Sequence, residues 1–212
     1  MEGRKKKVKS ILISQPKPEN GKSPYFNLAK KHKLKIDFIP FIHVEEISTQ
    51  EFKKQKISIL NHDAVIFTSK NAMDHYFMMC EKLRIKVPET MKYFCVSEAI
   101  AYYLQNFITF RKRKVFIGEQ MFFQLIPILK KHKECMFLLP CSDLIKERIV
   151  DTLQSNEINF TKSVMYKVAC SDLSDLEDVY YDILVFFSPT GIISLYENFP
   201  DFKQNDTRIA AF

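Results

Sequence analysis

Loops rich in hydroxyl and amide side chains follow several strand-like segments of this sequence. Each loop comes after an apolar run and before a helix-like segment: Phe67-Thr-Ser-Lys-Asn71, Val96-Ser-Glu98, Pro140-Cys-Ser-Asp143 and Phe187-Ser-Pro-Thr-Gly191. In open parallel sheets such loops meet at one edge, where helix starts present unpaired N–H groups and a partial positive charge. That chemistry suits carboxylates or phosphates. Ordinary helix capping by the same serines stays open as the alternative.

Tyr166 is the candidate for proton transfer. It lies within the long extended segment 160–169, in Val164-Met-Tyr-Lys-Val168. We expect this segment to cross between two domains, where a phenol facing the cleft can donate or accept a proton. Tyrosines in strands are more often packing residues, so residue type alone leaves both roles open. Neither Ser69 nor Ser188 lies in a GxSxG elbow, and neither pairs with a particular histidine and acid, so no hydrolase is indicated.

Glycine, cysteine and histidine usage excludes several classes of enzyme. The four glycines of the chain lie too far apart for a dinucleotide-binding turn or a phosphate-binding loop. The five cysteines form no CxxC pair, and Cys95 and Cys135 are expected to be small buried hydrophobes. The five histidines form no HExxH or close ligand pair, so we assign no metal site, although the sequence does not exclude one.

Charge favours an anionic partner. The chain carries 32 Lys and Arg against 25 Asp and Glu, a net charge of +7, partly in basic runs such as Arg4–Lys7 and Arg111–Lys114. These runs are typical of solvent-exposed surfaces. The positive electrostatic field that they produce would also attract a small polyanionic substrate. No RNA-recognition motif, zinc finger or basic helix accompanies them, so nucleic acid is not expected. No apolar run has the length of a membrane span or a secretory signal, and we expect a cytoplasmic protein with no membrane contact.

Alternating strand-like and helix-like segments predict an α/β fold with mainly parallel sheets. Buried strands are expected at Ala64–Phe67 and Ile183–Phe187, and helices at Leu144–Ser155 and Gly191–Asn198. An internal echo indicates two similar halves, because residues 63–72 align without gaps on residues 182–191. In each, an acid precedes an apolar strand, and a serine precedes a helix.

The segments 35–44 and 160–169 are the natural crossing points between these halves. If both cross, the two ends of the chain share one domain. We therefore predict a discontinuous, C-terminally incomplete domain of residues 1–41 and 165–212. A second α/β domain would span residues 42–164, joined to the first by a two-stranded linker.

At these residues the sequence resembles the uroporphyrinogen-III synthase family. The supporting segments include Phe67–Ala72, Leu138–Ser142, Val164–Val168 and Phe186–Gly191. The resemblance implies a cofactor-free lyase of tetrapyrrole and haem biosynthesis. Its substrate would be hydroxymethylbilane, a linear tetrapyrrole with eight carboxylates, which loses water and closes to uroporphyrinogen III with inversion of the last ring. The enzyme would mainly hold a flexible substrate in the inverting geometry.

Carried over to this chain, the resemblance makes Tyr166 the general acid. It also gives a set of substrate-binding residues, acting largely through backbone amides: Thr68, Ser69, Lys70, Asn71, Ser97, Ser142, Ser188, Thr190 and Gly191. Lys70 replaces a proline usual in the family and adds a cation. The loop Val96–Ala101 departs from the family's pattern, because it lacks the family's glycine and threonine and contains the acid Glu98.

The chain ends at Phe212, just before the family's G-P-T-T-A loop, so we expect it to be part of a longer protein and poorly active alone. We expect a monomer, and a transient contact with the upstream deaminase stays open. The alternative function is a non-catalytic tetrapyrrole- or anion-binding module on the same fold. A basic nucleic-acid-binding protein is a third alternative that rests on charge alone.

Overall fold

The computed structural model describes residues 7–18 and 23–212. These residues divide into two compact units. The terminal unit comprises Met1–Val44 and Ala169–Phe212, and the central unit comprises Glu45–Val168. Residues 4–6 of the first basic run lie outside the described residues. The domain boundaries expected from the sequence stay a prediction.

Strands and helices alternate along the described chain. The strands are β1 (Ser10–Ile13), β2 (Lys35–Phe38), β3 (Ile42–Glu46), β4 (Ala64–Phe67), β5 (Lys92–Cys95), β6 (Val115–Ile117), β7 (Phe137–Ser142), β8 (Phe160–Cys170), β9 (Ile183–Phe186) and β10 (Arg208–Ala211). The helices are α1 (Pro24–His32), α2 (Thr49–Lys54), α3 (Lys70–Lys82), α4 (Glu98–Tyr103), α5 (Phe122–Lys130), α6 (Glu147–Ser155) and α7 (Pro189–Asn198).

Each unit is built on a sheet with parallel pairing. In the terminal unit the strand order is β10-β9-β1-β2, and every neighbouring pair is parallel. The other sheet, the central sheet, has the order β3-β8-β7-β4-β5-β6, and its pairs from β8 to β6 are parallel. The chain passes from one unit to the other within β3 and again within β8. The predicted α/β class with parallel-dominated sheets is confirmed.

The internal echo of the sequence is present in the strand order. The run β8-β7-β4-β5 corresponds to β2-β1-β9-β10. The two acids that match in the echo, Asp63 and Asp182, make equivalent hydrogen bonds in the two sheets. Asp63 Oδ2 accepts a hydrogen bond from Met136 N at 3.0 Å, and Asp182 Oδ2 accepts from Lys9 N and Ser10 N at 2.8 and 3.0 Å. Each carboxylate therefore ties the start of its own strand to the start of the neighbouring strand.

The continuous apolar run of β4 follows from burial on both of its faces. All four residues of this strand are buried. Val65 and Phe67 pack into the cluster that contains α3, whereas Ala64 and Ile66 pack into the cluster that contains α5. Because helices cover both faces of this parallel sheet, neither face meets solvent, and the strand shows no alternation of polar and apolar residues.

Two helices begin at positions other than those expected. Helix α6 begins at Glu147, three residues later than predicted, because β7 continues through Ser142 and the Asp143 carboxylate then binds two backbone N–H groups. Asp143 Oδ1 accepts from Leu144 N at 2.9 Å and from Val168 N at 3.1 Å. Helix α7 begins at Pro189 instead of Gly191, since proline has the backbone angle of a first helical residue.

Among the described residues, no helix is both long enough and apolar enough to cross a bilayer.

Candidate active site

Serines cap two helices at the carboxyl edge of the central sheet. Ser69 follows β4 and accepts from Ala72 N at 3.1 Å, and Ser97 follows β5 and accepts from Ile100 N at 3.4 Å. Both have the extended backbone that an N-cap requires. Because β4 and β5 are parallel neighbours, both caps lie at the same edge. Thr68 is half-buried beside Ser69, and Glu98 is exposed in the first turn of α4.

A β-bulge sets the direction of Tyr166. Cys141 pairs with Val164, but the next residue, Ser142, pairs with Tyr166, so β8 has one extra residue, Met165, at this point. An extra residue breaks the alternation of side chains between the two faces of a sheet. Met165 and Tyr166 are consequently both buried in the cluster on the α3 face. The bulge thus turns the Tyr166 side chain to the face on which Ser69 begins α3.

The Tyr166 hydroxyl lies among polar groups of the same edge. Its Oη is 3.5 Å from Ser69 Oγ, where either oxygen can be the donor. Burial raises the pKa of Tyr166 above its usual value, while hydrogen bonds to the hydroxyls of Ser69 and Ser142 lower it and nearby Asp143 raises it. The net direction is upward, so Tyr166 keeps its proton at neutral pH. A protonated phenol with hydroxyl neighbours is suited to donating a proton.

His75 packs on Tyr166 and was not singled out from the sequence. The two ring centroids are 4.7 Å apart. His75 Nδ1 lies 2.7 Å from the Asn71 carbonyl oxygen, and a carbonyl only accepts, so Nδ1 carries a proton and Nε2 is the acceptor in the neutral ring. The signal available in the sequence was helical spacing, since His75 is four residues after Asn71 in the helix that Ser69 caps.

Gln55 holds the strand at the bulge. Its Nε2 donates to Val164 O at 2.7 Å, and its Oε1 accepts from Val164 N at 2.9 Å. The side-chain amide thereby satisfies both backbone groups two residues before Tyr166. On the other side, Asp143 N donates to Tyr166 O at 3.2 Å. No sequence pattern indicated Gln55, because 109 residues separate it from Val164.

Lys70 and Asn71 occupy the first turn of α3 and are exposed. The Lys70 ammonium lies 4.9 Å from the ring centroid of Tyr103, whose hydroxyl donates to Asp74 Oδ1 at 2.8 Å. The cation expected to contact a carboxylate is thus held over an aromatic face. The backbone amides of these two residues precede the first intrahelical hydrogen bond, so they stay free to bind an anion.

The remaining candidates lie in the terminal unit. Ser188 follows β9 and caps α7, accepting from Gly191 N at 3.4 Å. Thr190 is half-buried in the first turn of this helix. Gly191 is buried, and a Cβ there would lie 3.3 Å from the Phe186 ring. The loop therefore has the same cap geometry as the Ser69 loop, as the sequence echo predicts.

The candidate residues do not line the cavity in the terminal unit. A cavity of about 580 Å³ in the terminal unit is lined by loops 176–181 and 198–205, and by none of the residues named as candidates. The site is therefore defined by its side chains: Thr68, Ser69, Ser97, Ser142 and Tyr166 of the central unit lie on adjacent strand ends. Ser188, Thr190 and Gly191 form a separate group.

Comparison with known proteins gives a family and a fold. The model of the family described as uroporphyrinogen-III synthase HemD matches residues 24–212. A mutant uroporphyrinogen III synthase of the extremely thermophilic bacterium Thermus thermophilus is similar in structure, with a TM-score of 0.60 and 14% identity over 96% of this chain and 84% of that chain. The uroporphyrinogen-III synthetase of Helicobacter pylori is similar with a TM-score of 0.59 and 18% identity, over 96% of this chain and 83% of that chain. A search of curated proteins finds no match.

Proposed function

The chain belongs to the uroporphyrinogen-III synthase family, and from that premise we propose how its residues carry out the reaction. It is a lyase of haem biosynthesis that acts on a small-molecule tetrapyrrole. We propose that this tetrapyrrole is hydroxymethylbilane. The observation that carries the proposed chemistry is the contact of Tyr166 Oη with Ser69 Oγ at the carboxyl edge of the central sheet.

Tyr166 is the proposed general acid. Its hydroxyl protonates the terminal hydroxyl of the substrate while the carbon–oxygen bond breaks, so that water leaves and an electrophilic azafulvenium cation remains. The substituted carbon of the last pyrrole attacks it, and the resulting spiro intermediate fragments and recloses with that ring inverted. Ring closure releases one proton, which restores the phenol. The hydroxyls of Ser69 and Ser142 support this role, because they stabilise the transient tyrosinate.

Substrate carboxylates are proposed to bind at the helix starts. In the central unit the ligands are the first-turn amides of Lys70 and Asn71 and the hydroxyls of Thr68 and Ser97. Uncapped amides and the helix dipole favour anions there. In the terminal unit Thr190 and its neighbours Ser188 and Gly191 offer the same chemistry. Eight carboxylates on one substrate also account for the net charge of +7.

We propose three further properties of this protein. The protein acts as a monomer in the cytoplasm. It receives its substrate by transient contact with the deaminase that makes it, since hydroxymethylbilane cyclises unaided to the type I isomer. No metal or cofactor enters the proposed steps.

A coupled assay tests the proposed function. Hydroxymethylbilane is generated in place by a deaminase, the products are oxidised, and the type I and type III isomers are separated. We expect type III above the amount formed without the protein, in proportion to the amount of this protein. Type I alone, at the rate seen without the protein, would contradict the synthase function. Tight tetrapyrrole binding in that case would favour a binding module.

A further inference from the structure

Three potential metal ligands converge at the amino end of the central sheet, in the turn between α5 and β7. One imidazole nitrogen of His132, one carboxylate oxygen of Glu134 and Cys135 Sγ all lie within 4.8 Å of one another. Glu134 Oε1 is 3.6 Å from His132 Nδ1 and 3.6 Å from Cys135 Sγ. Tetrahedral bonds of about 2.0–2.3 Å to nitrogen, oxygen and sulfur place neighbouring ligand atoms about 3.3–3.6 Å apart. Two of the three ligand separations therefore already fit a metal.

The imidazole and the thiol are held in place by the fold. The His132 ring packs against Phe94 and Phe116, with centroid distances of 5.4 and 4.4 Å. Cys135 is buried, and its N–H donates to His132 O at 2.9 Å, which closes the turn. Glu134 is the adjustable member, because its side chain is 63% exposed. Binding of an ion has to close the remaining separation, between His132 and Cys135, which lies within 4.8 Å, and the exposed Glu134 carboxylate adjusts to it.

A cation already lies against the cluster. Lys92 Nζ is 3.4 Å from Cys135 Sγ and 3.5 Å from Glu134 Oε1. The ammonium occupies space next to two of the three ligand atoms, so a metal ion and Lys92 compete for them. A cavity of about 360 Å³ opens on Lys92, Glu134 and Cys135 and offers both a path for an ion and room for the displaced ammonium.

We propose that His132, Glu134 and Cys135 bind one divalent metal ion of the zinc type, with water from the cavity as the fourth ligand. The donor set selects the metal, because imidazole and thiolate ligands suit Zn²⁺ and Co²⁺, whereas Mg²⁺ and Ca²⁺ take oxygen ligands. The cluster lies at the amino ends of β4, β5 and β7, whereas Ser69 and Ser97 follow the carboxyl ends. A four-residue strand spans about 13 Å, so the ion would not contact the proposed substrate site.

Titration with Co²⁺ tests the site on the whole 212-residue protein under reducing conditions. We expect a sulfur-to-cobalt charge-transfer band that saturates at one ion per chain and disappears when Zn²⁺ is added. Cys135→Ser should abolish the band. Cys170→Ser, which removes a thiol in the terminal unit, is the matched control and should leave it unchanged. Absence of the band, or its survival in Cys135→Ser, would overturn the proposal.

Two further variants change side chains that are exposed or partly exposed, so we expect both proteins to fold and their Co²⁺ affinities to be measurable. Lys92→Met should tighten Co²⁺ binding about tenfold, because it removes a like charge a few ångströms from the ion. Glu134→Gln should weaken binding by at least a similar factor. Zn²⁺ should raise the melting temperature of the wild-type protein and leave that of Cys135→Ser unchanged. An unaltered affinity in both Lys92→Met and Glu134→Gln would contradict the assignment of this cluster.

Discussion

The side-chain amide of Gln55 exchanges two hydrogen bonds with the backbone of Val164, one in each direction. This exchange lies where β8 departs from regular pairing with β7. Gln55 thus takes the place that a further strand would have, and it fixes the backbone two residues before Tyr166. Its role in the reaction is positioning, since it acts through the strand that carries the proposed acid.

Gln55→Leu should lower kcat and stability together. The variant keeps the volume of the side chain but leaves Val164 N and O without their partners, at a cost of about 1–3 kcal/mol. KM should change less than kcat, since the carboxylate-binding loops are not altered. Chemical unfolding and the coupled assay measure the two effects. Gln124→Leu, which removes two hydrogen bonds at the start of α5, is the control, and an equal loss of kcat there would refute the positioning role.

Tyr166→Phe should reduce kcat at least about tenfold while the protein remains folded, because a proton donor is lost and the ring is retained. Steady-state formation of the type III isomer measures the effect. Tyr102→Phe, which alters a tyrosine that is 73% exposed, should have no effect. Turnover like that of the wild type in Tyr166→Phe would remove this residue from the proposed mechanism.

Ser69→Ala separates capping from catalysis when it is compared with Ser48→Ala. Ser48 caps α2 by accepting from Glu51 N at 3.1 Å, so each variant should lose about 1 kcal/mol of stability. Only Ser69→Ala also removes a hydroxyl that lowers the pKa of Tyr166. We therefore expect kcat to fall in this variant alone, and the pKa of Tyr166, followed by tyrosinate absorbance, to rise further. Equal kcat in the two variants would make Ser69 a cap only.

Acid should weaken the protein partly through Glu51. The hydrogen bond from Lys167 and those from Ser48 lower the pKa of Glu51 from 4.5 to about 2. A folded-state pKa below the unfolded value stabilises the protein above pH 4.5, and that stabilisation is lost as the pH falls through 2. Glu51→Gln should therefore show a smaller loss of the urea midpoint between these pH values. Glu81→Gln, an exposed carboxylate of α3, should follow the wild-type curve, and parallel curves for all three proteins would contradict the assignment.

Local sequence determined much of the fold and the Ser caps. The apolar run Ala64–Phe67 predicts a strand buried on both faces, and Ser69 after it predicts the start of a helix. The echo of residues 63–72 in residues 182–191 predicts the repeated strand order. These features depend on neighbouring residues, since backbone preference, apolar patterning and capping all act within a few positions of the chain.

Tertiary structure alone decided which side chains meet. Tyr166 reaches Ser69 because one residue is inserted in the pairing of β8 with β7, and a shift of one residue moves a side chain to the other face of a sheet. The register depends on contacts between segments far apart in the chain, among them the pairing of Ser142 with Tyr166 and the hydrogen bonds of Gln55. Lys92, His132 and Cys135 likewise converge only once β5 and β7 each pair with β4. The sequence contains these residues, but their distances depend on how the strands align.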